Sequence, residues 1–514
     1  GLVGSEMCIR DRYYIDVNMC AAEPFRRGVK RYDMSDFVKK FKNFAYGDFY
    51  LAAVAAIVTV AWIAESAEFG FVALVLLACI SLVLLDDILP LTAPIFYAMC
   101  MIFSSDVADF IFMWPTFIPL GIAVVIFAVR NRGRLRIGKM FFPQVAVSAA
   151  LLLGGVGVVA VSDYVRTLPS VLFLGIGILA IYVLLFQYVK IDEKRDIGLF
   201  FSKMLMWFGV AVMVELVVVI IRSGQPPSEW GHMVRDTGWG NENNIATILS
   251  LTAPMCFYLS TRYRHGWAYV AMGVVQYAGI VLSFSRGGIL MAVFTGPACA
   301  IYALVKAVDK KITSISYAVI IAALLVCFGL VFDKVMDVFK SLLGQGFGVS
   351  GRDLLYAEAW DVFTKFPFLG AGVGYNGPNY DINTMQFYWF HSTLFQVLAN
   401  MGVVGFIAYA YYYIVRFGIA LKGWRNPFNI FVIIAWIGFE GYSMMDTGTF
   451  VPFPTMALVM TTAMIMEFTN KAEPMKGEVD EYNRTFKRGA VKAKARYYDS
   501  FTPEYARTAE ALAG

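Results

Sequence analysis

This sequence is poor in charge. Only 16% of its 514 residues are Asp, Glu, Lys or Arg, while 59% are hydrophobic, and the mean hydropathy is +0.63. A soluble domain of this length cannot hide so much apolar surface from water, so a soluble enzyme or binding module is excluded. The net charge is a modest +5, and no nucleic-acid partner is expected. Histidine is scarce, with His232, His265 and His391 the whole supply. The seven cysteines (Cys8, Cys20, Cys79, Cys100, Cys256, Cys299 and Cys327) form no CxxC and no ligand-like spacing. That excludes a disulfide frame and a zinc site, and leaves cysteine as a small hydrophobe. No internal repeat and no DxD pair is present, and no metal or other cofactor is expected.

What is present is a succession of apolar runs, each long enough, or nearly so, to cross ~30 Å of hydrocarbon. They fall at 49–65, 68–85, 88–104, 109–129, 142–161, 168–189, 198–221, 242–260, 267–284, 287–306, 312–332, 393–415, 428–445 and 451–468. The fold class expected is an all-α polytopic membrane protein of roughly 12–14 spans. Lysine and arginine gather in Arg130–Lys139, Lys190–Arg195, Arg262–Arg264, Lys306–Lys311 and Arg416–Arg425. With these spans all five loops share the side of the basic N-terminus, which the positive-inside rule makes cytoplasmic. Residues 1–12 read as sequencing-adapter read-through and are set apart from the fold, with Met19 or Met34 as the expected start. Residues 13–48 are then a cytoplasmic basic segment, 49–468 the membrane domain, and 469–514 a charged cytoplasmic tail.

One long stretch, 333–391, lies between spans on the outward side. Ser350-Gly351-Arg352 opens a helix in it, with an apolar stripe at Leu355, Tyr356, Ala359, Trp360 and Phe363. Ser350 is the expected N-cap, Asp353 favours the first turn, and Phe366-Pro367 ends the helix near Lys365. A helix start offers free N–H groups to an anion, and the Arg352 fork suits phosphate oxygens. An ordinary surface arginine beside a cap is the plainer reading. Gly370-Ala-Gly-Val-Gly374 has no strand before it, so its glycines read as turn residues.

Three further positions bear on chemistry. His391-Ser392 stands where the long loop re-enters the membrane, beside Trp389 and Phe390; there a histidine is either a proton acceptor or an interface aromatic. Ser285-Arg286 sits in a junction between spans with almost no loop. Such an arginine needs either an anionic partner in a hydrated cavity or a path for its head to the interface. Arg235 opens the turn-rich stretch to Asn244, in which Asn241 is positioned to cap a helix. That stretch reads as a wall of the site, with Arg235 a second-tier contact.

In their order and spacing, SFSRGG (283–288), SGRDLLYAEAWDVFTKFPFLGAGVGYN (350–376) and FHSTLFQVLANMGVVGFIAYAYYY (390–413) resemble the O-antigen ligase and polymerase superfamily. The likeness covers about residues 235–415. It implies a GT-C type helical bundle in a bacterial plasma membrane, with the site on the outer face. The implied activity is metal-independent, inverting transfer of glycan from a polyprenyl diphosphate to an acceptor that is a glycan, a lipid or a protein. The family's two arginines fall on Arg286 and Arg352 and its histidine on His391, with Ser285, Ser350, Gly351 and Arg235 as substrate contacts. Two departures stand out: His-Ser replaces the usual His-Asn, and the span count exceeds the family's twelve. A protein O-oligosaccharyltransferase of the same superfamily shares every one of these features. A lipid-linked glycan transporter or flippase instead predicts mid-membrane charges and paired broken helices.

Overall fold

The computed structural model describes residues 36–104, 112–133, 136–158, 167–168, 171–190, 196–226, 230–234, 237–330, 351–377, 388–450 and 454–471. The chain divides into two units, 1–41 and 42–514; the first is described only from Asp36, and the helix bundle and the site belong to the second. In chain order the helices are α1 (Asp36–Ala45), α2 (Asp48–Ile63), α3 (Ala67–Leu84), α4 (Thr92–Ser104), α5 (Phe117–Arg130), α6 (Phe141–Val156) and α7 (Ile178–Tyr188). Next come α8 (Ile197–Ser223), α9 (Glu242–Ser260), α10 (Trp267–Leu282), α11 (Arg286–Lys306) and α12 (Lys310–Leu330). The last four are α13 (Arg352–Lys365), α14 (Thr393–Lys422), α15 (Pro427–Ser443) and α16 (Pro454–Lys471). Among the described residues there is no strand, only an isolated bridge between Thr237 and Gly240.

This is an all-α polytopic membrane protein. Ala67–Leu84, Ile197–Ser223, Arg286–Lys306 and Thr393–Lys422 are long and apolar enough to cross a bilayer, and shorter apolar helices accompany them. Helix is forced on such runs, because backbone N–H and C=O groups find no water in hydrocarbon and must pair within their own segment. Each expected apolar segment carries helix over at least part of its described length.

Helix α9 is the central post. Every residue from Asn244 to Ser260 is buried, against α8, α10, α11 and α15. It needs no lipid-facing side, so it tolerates Asn, Thr and Ser. Thr252 donates to the Gln276 Oε1 of α10 at 2.8 Å, and Gln276 donates to the Met206 carbonyl of α8 at 3.1 Å. Between helices in a membrane such bonds hold where hydrophobic contrast does not. Helix α11, by contrast, leaves Leu290, Val293, Phe294 and Ile301 exposed, as a lipid-facing helix does.

The segment expected to span at 393–415 is two elements. Gly402 is non-helical inside α14, at φ 60 and ψ −154. The Val397 side chain comes within 3.3 Å of where a Cβ on Gly405 would sit. A straight helix would separate positions eight apart by about 12 Å, so the chain doubles back. The half-helix 393–401 (α14a) is too short to cross; 403–422 (α14b) is the span. Arg416 also departs from expectation: it lies buried within α14b, not in a basic loop.

Two basic-loop arginines have local work. The Arg130 guanidinium donates to the carbonyls of Leu82, Val83 and Leu85, at the end of α3. Arg136 donates to Phe186, Gln187 and Val189 carbonyls, at 3.0, 2.6 and 3.0 Å, at the end of α7. Both satisfy carbonyls that a helix C-terminus leaves unpaired, and both place positive charge at the negative end of the dipole.

Candidate functional site

Helix α13 begins at Arg352 and ends at Lys365, with Phe366 next, as the sequence predicts. Its N-cap position is Gly351, in the left-handed region at φ 75, with no side-chain cap. Glycine is the residue that takes that conformation without strain. Ser350, the expected cap, lies outside the described residues. The helix packs through Ala359 and Val362 onto Ala371, Phe390 and Ala399. Trp360, placed in the apolar stripe by spacing, is instead 53% exposed. Glu358 accepts hydrogen bonds from the Tyr375 hydroxyl at 3.0 Å and the Tyr388 hydroxyl at 2.9 Å, fastening both ends of the loop beyond the helix.

The glycines at 370–374 do more than turn the chain. Pro367 and Phe368 carbonyls accept from the N–H groups of Val403 and Val404, at 2.8 and 3.2 Å. Those are the donors that the break at Gly402 frees at the start of α14b. In return the N–H groups of Ala371 and Gly372 donate to the carbonyls of Ala399 and Asn400, at 2.8 and 3.1 Å, and that of Val373 donates to Gly154 on α6 at 2.7 Å. The loop thus replaces the hydrogen bonds that the broken helix lacks. Only glycine permits the approach: a Cβ on Gly370 would meet the Asn400 backbone at 2.3 Å, and one on Gly402 the Phe368 oxygen at 2.4 Å.

With the loop locked, three motifs converge on the end of α15. Arg352 donates through Nη1 to the Met445 carbonyl at 2.5 Å, and its Nη2 lies 3.6 Å from Asp446 Oδ2. His391 Nδ1 lies 3.1 Å from Asp446 Oδ1. Tyr442 donates to Asp446 Oδ2 at 3.0 Å, and the Thr447 N–H donates to Oδ1 at 2.7 Å. Helix α14a is tied to the same residue, since Thr393 N–H donates to the Asp446 carbonyl at 3.1 Å. Tyr356 of α13 donates to the His391 carbonyl at 3.0 Å and stacks on Phe395.

His391 is held at φ 51, a conformation that a non-glycine residue seldom adopts and that structure must impose. Phe284, two residues before Arg286, is at φ 60. Ser285 caps α11 by accepting from the Gly288 N–H at 3.4 Å, and donates to Asn243 Oδ1 at 3.0 Å. A Cβ on Gly287 would meet the Tyr442 ring at 3.0 Å. The N-terminus of α11, with half-buried Arg286 as its first residue, therefore packs on the stretch that carries Asp446.

Asn241 caps α9 as expected, accepting from Asn243 and Asn244 N–H groups at 3.0 Å. The turn before it is fastened by Gly238 N–H donating to Glu215 at 2.7 Å, and by Trp239 buried against Trp62, Tyr97 and Phe208. Arg235 lies outside the described residues. Sequence reasoning missed Asp446 and Tyr442. The available signal was a carboxylate standing alone in the short link between two spans, where a charge needs a partner.

Burial works to raise the Asp446 carboxyl. The hydrogen bond and charge of His391, the charge of Arg352 and the Thr447 N–H outweigh it and hold the group below the ordinary carboxylate range. An ionised Asp446 only accepts, so His391 Nδ1 carries the hydrogen whether or not the ring is charged, and in the uncharged ring Nε2 keeps its lone pair. The His391 side chain is 37% exposed.

Fold and site together define a multi-pass membrane protein with a His–Asp–Arg cluster at one end of its helices. Residues 267–410 match the family model described as O-Antigen ligase, and this places that segment in the O-antigen ligase and polymerase superfamily. The matched stretch contains Arg286, Arg352 and His391 and stops short of Asp446. No curated protein matches the chain. The family indicates O-antigen ligase-type glycan transfer in general, with lipid-linked glycan and polysaccharide as substrates in general.

Proposed function

We propose that this protein transfers glycan from a polyprenyl diphosphate to an acceptor hydroxyl at the outer face of a bacterial plasma membrane, without a metal ion. The GT-C type bundle holds the lipid, the loop 333–391 stands on the outer side, and segments 13–48 and 469–514 lie in the cytoplasm. The observation that carries this reading is the Asp446 carboxylate shared by His391 and Arg352. It orients a base and a cation on either side of one point. His391 Nε2 takes the proton of the acceptor hydroxyl. The oxygen then attacks the anomeric carbon, and the bond from that carbon to the diphosphate oxygen breaks, with inversion. The diphosphate leaves with its charge neutralised by Arg286 and Arg352, whose planar forks match phosphate oxygens. Arg352 uses one N–H on Met445 and keeps others for the donor. Arg235, Ser285, Ser350 and Gly351 complete the donor side.

The test is donor binding and transfer on the purified protein with a polyprenyl-diphosphate-linked glycan. Transfer should persist in EDTA. His391→Ala should lose roughly 10²–10⁴ in rate while binding donor nearly as wild type, and Arg352→Lys should impair binding despite keeping its charge. Activity lost to EDTA and restored by magnesium overturns the metal-free mechanism. Donor binding weakened as much by His391→Ala as by Arg352→Ala overturns the base assignment.

A further inference from the structure

A second charged pair lies inside the helix bundle. Arg416 of α14b is 1% exposed, and its guanidinium is hydrogen-bonded to the Glu440 carboxylate of α15. Four rings surround the guanidinium carbon: Tyr412, Tyr413, Phe417 and Trp436, with centroids at 5.4, 4.7, 5.2 and 4.6 Å. Ionisable side chains in a membrane interior are costly, and a buried pair contributes little net stability over apolar residues of the same volume. What such a pair does fix is geometry, since its length and direction are set by the hydrogen bond.

The position fixed here is that of Asp446. Glu440 stands under two helical turns before it on α15, and Tyr442 and Met445, both part of the cluster, stand between. On the far side of Asp446, Thr449 Oγ1 lies 3.5 Å from the Tyr413 hydroxyl, and Phe450 packs on Tyr409 with centroids 5.8 Å apart. Tyr409, Tyr413 and Arg416 recur at helical spacing along one face of α14b. That face therefore holds the chain before and after the Asp446 turn. The same helix is joined through α14a to His391, and its N-terminus is bonded to the loop beyond the Arg352 helix. One helix thus connects to both partners of the Asp446 carboxylate.

We propose that Arg416 is a positioning residue: through Glu440 it sets the end of α15, and so the place of the Asp446 carboxylate between His391 and Arg352. This rests on the transfer reaction proposed above. The Arg416→Met, Glu440→Leu double variant removes the pair while keeping apolar volume. Purified at full length, it should keep its melting temperature and its KM for the lipid-linked donor within about twofold, while kcat falls roughly 10–100-fold, as a site misplaced by about 1 Å does. Arg416→Lys, which keeps the pair, should recover most of that kcat. Glu440→Asp retains the charge and shortens the arm by one methylene, so it too should lower kcat at unchanged KM; it decides the matter if the double variant fails to fold. Wild-type kcat in a folded double variant, or in Glu440→Asp, overturns the proposal, as does a kcat that falls only in step with melting temperature. His391→Ala, measured alongside, keeps the two readings apart. If it is inactive while the pair variants are normal, the site stands and the positioning role falls; if it is fully active, the site itself is wrong.

Discussion

Asp446 takes hydrogen bonds or charge from His391, Arg352, Tyr442 and Thr447, four groups from three separate stretches of chain. Its carboxyl is held low in the folded state despite burial. A depressed folded value contributes stability that is fully present above the unfolded carboxylate value, ~3.9, and is lost as pH falls through the folded one. The difference in melting temperature between wild type and Asp446→Asn should therefore shrink as pH falls below about 4. A difference that persists undiminished down to about pH 2 would show that the ionised carboxylate is not what holds the cluster. At neutral pH the same variant should lose at least roughly 10² in transfer rate, because an amide at this position permits the wrong histidine tautomer. Arg286 and His391 stood out in the sequence as short motifs at span boundaries, and Arg352 as the opening of a helix in the long outward loop. Asp446 was not: what marks it is contact with residues some fifty to ninety positions earlier, which no local spacing encodes.

At the level of elements, bounds were more legible than faces. The start and stop of α13 followed from the Ser350-Gly351-Arg352 motif and from Phe366-Pro367, although the cap position is Gly351 and not Ser350. Its buried face did not: Ala359 and Val362 let α13 sit close against α14a, and Trp360, turned ~100° from Ala359, faces out. The glycines of 370–374 and Gly402 were visible too, but their use was not. They serve an exchange of hydrogen bonds between a loop and a broken helix, and only the folded chain brings the two together. That exchange makes a prediction. Gly402→Ala places a side chain at φ 60 and against the Phe368 oxygen. It should destabilise the protein by about 1–3 kcal/mol and reduce transfer, since α13 and Arg352 are held through this junction. Gly418→Ala, in the same helix with nothing within 4 Å, should leave both unchanged. A melting series on the two variants checks it; equal melting points would mean that the junction yields without cost.

For the whole molecule, the arrangement depends on which end of the bundle faces out, and the cations decide it. Basic side chains concentrate in alternate loops, and positive charge in short loops is retained on the cytoplasmic side. Arg130 and Arg136 have an additional local reason to be where they are, as caps of α3 and α7. The bias nevertheless runs through five loops, and capping accounts for two side chains of one. The cations that break the pattern are the ones with specific partners: Arg352 on Met445 and Asp446, and Arg416 on Glu440 within the bundle. The proposed orientation therefore has the His391 end of α14 outside and the Arg130–Lys139 loop inside. Single cysteines at Gly133 and Asn376, both exposed, distinguish the two faces. The described native cysteines Cys100, Cys256 and Cys299 are buried and Cys79 is partly so; Cys8, Cys20, Cys79 and Cys327 are replaced by serine in both variants to remove background reaction. A membrane-impermeant maleimide should label Asn376→Cys in intact cells, and Gly133→Cys only after the membrane is opened. Labelling of Gly133→Cys in intact cells would put the His391–Asp446–Arg352 cluster in the cytoplasm. A glycan donor displayed on the outer leaflet could not reach it there, and the proposed reaction would fail with the orientation.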